Sequence, residues 1–151
     1  MRWTFPAAAI AFVALAACSL PTVDKAADAK ARGLYEQIRT GADLSQSPDL
    51  APDLKTPAAL AQLATLKAML PHGAPTAAVN RSWSVNAGTG GTTAILVHAY
   101  SYPTQTVLAQ TVLAKAGGAW LITGFHVTFE GLSNDPGPGD AVTVTKRPQT
   151  T

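Results

Sequence analysis

Cysteine is nearly missing from this chain: Cys18 is the only one in 151 residues, so no intramolecular disulfide can form. Charge is sparse as well, at 13% of residues, which excludes a charge-rich disordered chain. The 11 Lys and Arg are scattered singly against 9 Asp and Glu, and the basic cluster expected of a nucleic-acid binder is not there. Acidic side chains are absent from Leu54 to Phe129, while Lys55, Lys67, Arg81 and Lys115 fall inside that stretch. A strand pocket therefore has no carboxylate of its own. No apolar run reaches the roughly 20 residues a membrane-spanning helix needs.

What is present begins with a short apolar run. Ala7 to Ala17 contains no polar residue, and Arg2 is the single charge before it. That length suits the h-region of a secretory signal. The run ends at Leu15-Ala16-Ala17-Cys18, and this segment resembles the lipobox of bacterial lipoproteins. The resemblance implies a signal peptide over residues 1–17, cleavage before Cys18, and a thioether-linked diacylglycerol on its sulfur. It implies a lipidated Cys18 and short tether over 18–22. Two or more acyl chains, at about 0.8 kcal/mol per buried CH₂, anchor durably where one does not. Ser19 is not Asp. In the enterobacterial version of the family this implies sorting to the outer membrane. The expected location is thus the bacterial cell envelope, on the periplasmic face of the outer membrane.

The remainder reads as one domain over 23–130, followed by a Pro/Gly-rich tail over 131–151. Val23, Ala27, Ala31, Leu34 and Ile38 recur at helical spacing, which predicts a helix from Val23 towards Thr40, with Thr22 as N-cap and Gly41 as stop. Ala42 to Lys55 reads as a loop pinned by Leu44, Leu50 and Leu54. Thr56-Pro57 opens a second helix that runs to about Leu70, with Leu60, Leu63, Lys67 and Leu70 along one side.

From Thr76 the period becomes two. Val79, Arg81, Trp83 and Val85 alternate with polar residues in a first strand, and Asn86 to Gly91 reads as a hairpin turn. Further strands are expected over Thr92–Tyr102, Gln105–Ala116 and Ala119–Phe129, with turns at Pro103-Thr104 and Gly117-Gly118. Ala141–Lys146 alternates weakly enough for a short edge strand at most. The expected class is α+β: two N-terminal helices packed on a curved antiparallel sheet of about four strands.

Leu50 to Leu60, with its loop-to-helix step, and Gly117-Gly118-Ala119-Trp120-Leu121-Ile122-Thr123-Gly124-Phe125 resemble the small NTF2-like (cystatin-like) domains of many bacterial lipoproteins. The resemblance implies a fold, not an activity. NTF2-like enzymes use a pocket carboxylate, and here only Glu130 or an acid from the first helix stands within possible reach.

His98 shares its strand face with Leu96, Tyr100 and Tyr102, and His126 shares one with Trp120, Ile122 and Thr128. If both faces turn inward, His98, Tyr100, Trp120 and His126 line one cavity of the kind that holds ligands. Otherwise each histidine is a half-buried strand residue bonded to a neighbour. His72 lies in a Pro-Gly turn, exposed to solvent. Two histidines without a third ligand make no zinc site, and no cofactor is expected. Ser82, Ser84 and Ser101 lack a Ser-His-acid setting, and Gly88-Thr89-Gly90-Gly91 lacks the lysine of a phosphate loop.

Strands two to four read as apolar on both faces, with Ile95, Val97, Ala99, Val107, Ala109, Leu113, Leu121, Phe125 and Val127 on one and Leu96, Tyr100, Leu108, Val112, Trp120 and Ile122 on the other, which leaves one face for something other than the helices. The expected partners are the membrane, through the lipid, and a homodimer mate or envelope protein through the sheet, unless the tail from Gly131 folds across that face instead. The expectation is a non-catalytic ligand- or protein-binding accessory module. Two alternatives remain: an assembly lipoprotein docking through its sheet face, and an NTF2-like enzyme with His98 or His126 as acid/base. A histidine paired to an acid in a tight pocket would favour the enzyme.

Overall fold

The computed structural model describes residues 23–131 and 142–145. Cys18, the expected tether and the N-cap expected at Thr22 lie outside them. Helix α1 spans Lys25–Thr40, two residues later than the apolar stripe suggests. Its N-cap is Asp24, whose carboxylate accepts from the backbone N–H groups of Ala26 and Ala27. Gly41 ends it in the left-handed conformation at φ 75°. Ala27, Ala31, Leu34, Tyr35 and Ile38 form its buried face.

The loop that follows is held by buried Leu44, Leu50 and Leu54, with a 3-10 turn at Pro52–Lys55. Helix α2, Pro57–Met69, opens with the Thr56 hydroxyl accepting from Ala59 N–H. Its buried side is Ala59, Leu63, Leu66 and then Leu70; Leu63 and Leu70 of the expected line lie on it and Leu60 packs half-buried against the core, but Lys67 is exposed. Apolar residues surround this helix, so composition alone could not choose its inner side.

Five antiparallel strands follow in sequence order: β1 Ala77–Gly88, β2 Gly91–Ser101, β3 Gln105–Ala116, β4 Ala119–Gly131 and β5 Val142–Thr145. Thr89-Gly90 joins β1 to β2, and Gly117 and Gly118, at φ 57° and 86°, turn β3 into β4. The class is α+β, with an antiparallel sheet and two helices.

Two irregularities set which side chains point where. In β1 the register shifts between Asn80 and Ser82, so Arg81 is an extra residue and the alternation changes phase. Val79, 55% exposed, therefore faces opposite to Trp83, which packs on the core. In β4 the register shifts opposite Val112 and Leu113, so Trp120 and Ile122 share the inner face with Phe125 and Val127.

The inner face consists of Ala94, Leu96, His98 and Tyr100 on β2, Val107, Ala109, Thr111 and Leu113 on β3, and those four β4 residues. It meets α1 and α2 in one core. Ile95 and Val97 lie on the opposite face with Leu108, Val112 and Leu121, all half-buried. This corrects the sequence grouping, which joined Ile95 and Val97 to Val107, Ala109 and Leu113. The antiparallel register pairs Leu96 with Thr111 and so puts even positions of β2 beside odd positions of β3.

The β4 edge of the sheet is occupied twice. β5 pairs along Gly124–Val127, and the 49–51 loop closes on Ile122 through Ala51 N–H to Ile122 C=O and Ile122 N–H to Asp49 C=O.

Candidate functional site

The first two turns of α1 place Asp24, Asp28 and Arg32 on one side at intervals of four. Asp28 sits at the centre of a polar cluster under that helix. Its Oδ1 lies 2.8 Å from His98 Nε2 and accepts from Asn80 Nδ2 at 3.3 Å, while Oδ2 accepts from Arg32 Nε at 2.8 Å. Asn80 and His98 are paired across β1 and β2, so one carboxylate ties the helix to two strands.

Charge states follow from these contacts. Burial works against ionisation of Asp28, but the bonds from Arg32, His98 and Asn80 outweigh it and hold the carboxyl below its ordinary value. His98 is 1% exposed, and burial keeps its pKa below the ordinary value despite the bond to Asp28. A neutral imidazole facing a carboxylate must donate, so Nε2 carries the proton.

Trp120 makes a second tie. Its indole N–H donates to Asp24 Oδ2 at 2.9 Å, the foremost reason that the Asp24 carboxyl titrates low, and the Lys115 ammonium lies 5.3 Å from the indole ring centre. Farther along α1, Tyr35 stacks on Tyr100 with ring centres 3.6 Å apart and shares a 2.8 Å hydroxyl contact with Tyr102. Burial raises the Tyr35 and Tyr100 hydroxyls, so both phenols stay protonated. The Tyr100 hydroxyl is buried without a hydrogen-bond partner among the described residues.

Of the four expected pocket residues, the structure brings His98, Tyr100 and Trp120 to the inner face, all buried. His126 stands on the other face, opposite Gln110, with Nε2 3.1 Å from the Thr128 hydroxyl. The β4 register shift separates it from Trp120, so no single cavity holds both imidazoles. Glu130 pairs instead with Arg81 at 3.0 Å, joining β4 to β1, and both ends are exposed.

Among the described residues, two surface pockets each hold about 300 Å³. One is lined by Val23, Lys25, Asp28, Arg32 and Asn80. The other lies between Ile38, Leu44, Leu60 and Leu63, with Asp43 and Lys67 among its walls. Neither is lined by an imidazole. Asn80, Arg32 and the choice of Asp28 among the first-helix acids escaped the sequence reading, although the spacing of Asp24, Asp28 and Arg32 beside the Ala27–Ala31 stripe was a visible signal. That an acid from the first helix could reach inward was anticipated; its partner was not.

Among the described residues no three His, Cys, Asp or Glu side chains gather in a manner suited to a metal ion, and no helix is long and apolar enough to cross a membrane. Comparison with family models, with curated proteins and with solved structures finds no match to this chain.

Proposed function

We propose that this chain is a lipid-anchored accessory module of a bacterial cell envelope, held at Cys18 and binding an apolar ligand or an envelope protein without catalysis. One observation carries the binding part of this reading. The helices cover a single face of the sheet, and the other presents Ile95, Val97, Leu108, Val112 and Leu121 as a half-buried apolar strip. The order of two helices and an antiparallel meander supports an NTF2-like domain, in which neither described helix packs on this face. The lipobox segment supports the anchor.

Native mass spectrometry of the full chain, extracted in detergent from the membranes of its own host, tests the reading. The expected result is a reproducible added mass or complex beyond the lipid, lost in Leu108→Glu while the fold persists. A chain that carries only its lipid, or an unchanged complex in Leu108→Glu, would overturn it.

The Asp28–His98 pair favours a second reading, acid–base catalysis. Its weakness is access. The imidazole is buried, its Nε2 proton is committed to Asp28, and the carboxylate is already shared among three donors. The pair serves better as a tie between helix and sheet.

A further inference from the structure

The two edges of the sheet differ. The β4 edge is taken by β5 and by the 49–51 loop, whereas among the described residues β1 ends the sheet on the other side. The first half of β1 is blunted. It carries the Arg81 bulge and a positive charge, and the Ala78 carbonyl, which points off the sheet, accepts from Arg32 Nη1 at 3.4 Å. Its second half, Ser82 to Gly88, has no charge, no proline and no bulge.

The backbone of that half can be oriented from the hairpin. Thr89-Gly90 is a two-residue connection, so Gly88 and Gly91 form the hydrogen-bonded closing pair. Alternation then gives Ser82, Ser84 and Asn86 to β2 and turns the N–H and C=O groups of Trp83, Val85 and Ala87 outward. Six backbone groups in a row stand ready for another strand. Val85, at their centre, is 44% exposed.

We propose that this segment pairs antiparallel with the same segment of a second copy, joining two sheets into one across β1. A two-fold axis at Val85 places Trp83 opposite the partner's Ala87 and Ser84 opposite the partner's Asn86. The match is self-complementary. With no charge anywhere in the segment, like does not repel like. A partner strand of other sequence would gain the same backbone bonds, but the uncharged segment, which sets large Trp83 against small Ala87 and polar Ser84 against polar Asn86, favours a second copy. The inference is independent of the lipid anchor and of the apolar face.

Single cysteines introduced along Ser82–Gly88 in the full chain, oxidised in its host membrane, test the pairing. A disulfide joins Cα atoms about 5.5 Å apart, the separation of a hydrogen-bonded pair. Val85→Cys is expected to give a band at twice the chain mass, with yield falling toward Ser82 and Gly88, and the wild-type chain, with Cys18 alone, to give none. Val85→Pro removes an N–H that β2 does not use. It should keep the folded circular dichroism spectrum and convert the detergent-extracted dimer to monomer by sedimentation. A monomeric wild type, no doubled band from any cysteine, or a crosslink to a chain of different mass would overturn the proposal.

Discussion

Asp28 ties together side chains from three elements: Arg32 on α1, Asn80 on β1 and His98 on β2. Removing its carboxylate strands the buried His98 N–H and frees Arg32 and Asn80 together. Asp28→Ala should lower the unfolding free energy by about 1–3 kcal/mol, the cost of an unsatisfied buried polar group, in urea titrations. His98 also sets a pH dependence whose sign is fixed by burial. An unfolded histidine takes a proton near its ordinary value of 6.5, while folded His98 stays neutral to lower pH. The unfolded state then binds more protons, so stability falls as pH drops below about 6.5, by up to about 1.4 kcal/mol per unit. A second window opens lower, below the ordinary carboxyl value of 3.8, where Asp24 and Asp28 lose their bonds on protonation. His98→Gln should flatten the upper window and leave the lower one. A profile between pH 7 and 5 that is the same in both chains would show that His98 is not the group that titrates.

At the scale of elements, α1 contains two glycines that should respond to alanine with opposite signs. Gly33 lies mid-helix with open space where a Cβ would stand, so Gly33→Ala should stabilise by about 0.5–1 kcal/mol. Gly41 ends the helix at φ 75°, and a Cβ there would also meet the Lys67 side chain. Gly41→Ala should cost about 1–2 kcal/mol, the steric price of the left-handed region. Thermal unfolding of the pair reads both signs in one experiment. The same elements show how much of the fold was legible. Gly41, Thr56-Pro57 and Gly117-Gly118 declare boundaries because each residue does what few others can. The alternation inside β1 and β4 did not declare its faces, since one inserted residue at Arg81 or near Thr123 reverses every side chain beyond it. Tyr35 was missed on α1 because the small stripe residues Ala27 and Ala31 drew the face one position away from it. The candidate site was less legible still: His98 was visible as a strand histidine, but its partner lies 70 residues earlier on another element.

For the whole molecule, the chain between Cys18 and α1 bounds how far the domain stands from the membrane it is proposed to be tied to. Six peptide units separate Cys18 from Asp24, the cap of α1, and fully extended they span about 22 Å. A lipid on Cys18 would hold the start of α1, with Asp24, Asp28 and Trp120 beneath it, within that distance of the headgroups. Among the described residues no helix is long and apolar enough to cross a membrane, and the exposed large apolar residues are Met69, Val79 and Val85. If the proposed acyl chains on Cys18 carry the anchoring energy, loss of the sulfur should be complete in effect rather than partial. Cys18→Ser is expected to move the protein from the membrane pellet to the soluble fraction of lysed cells, with the wild type resisting a high-salt wash that strips electrostatic binders. Retention of Cys18→Ser in the salt-washed pellet would transfer the membrane affinity to the folded domain itself, and with it the assignment of the apolar strip.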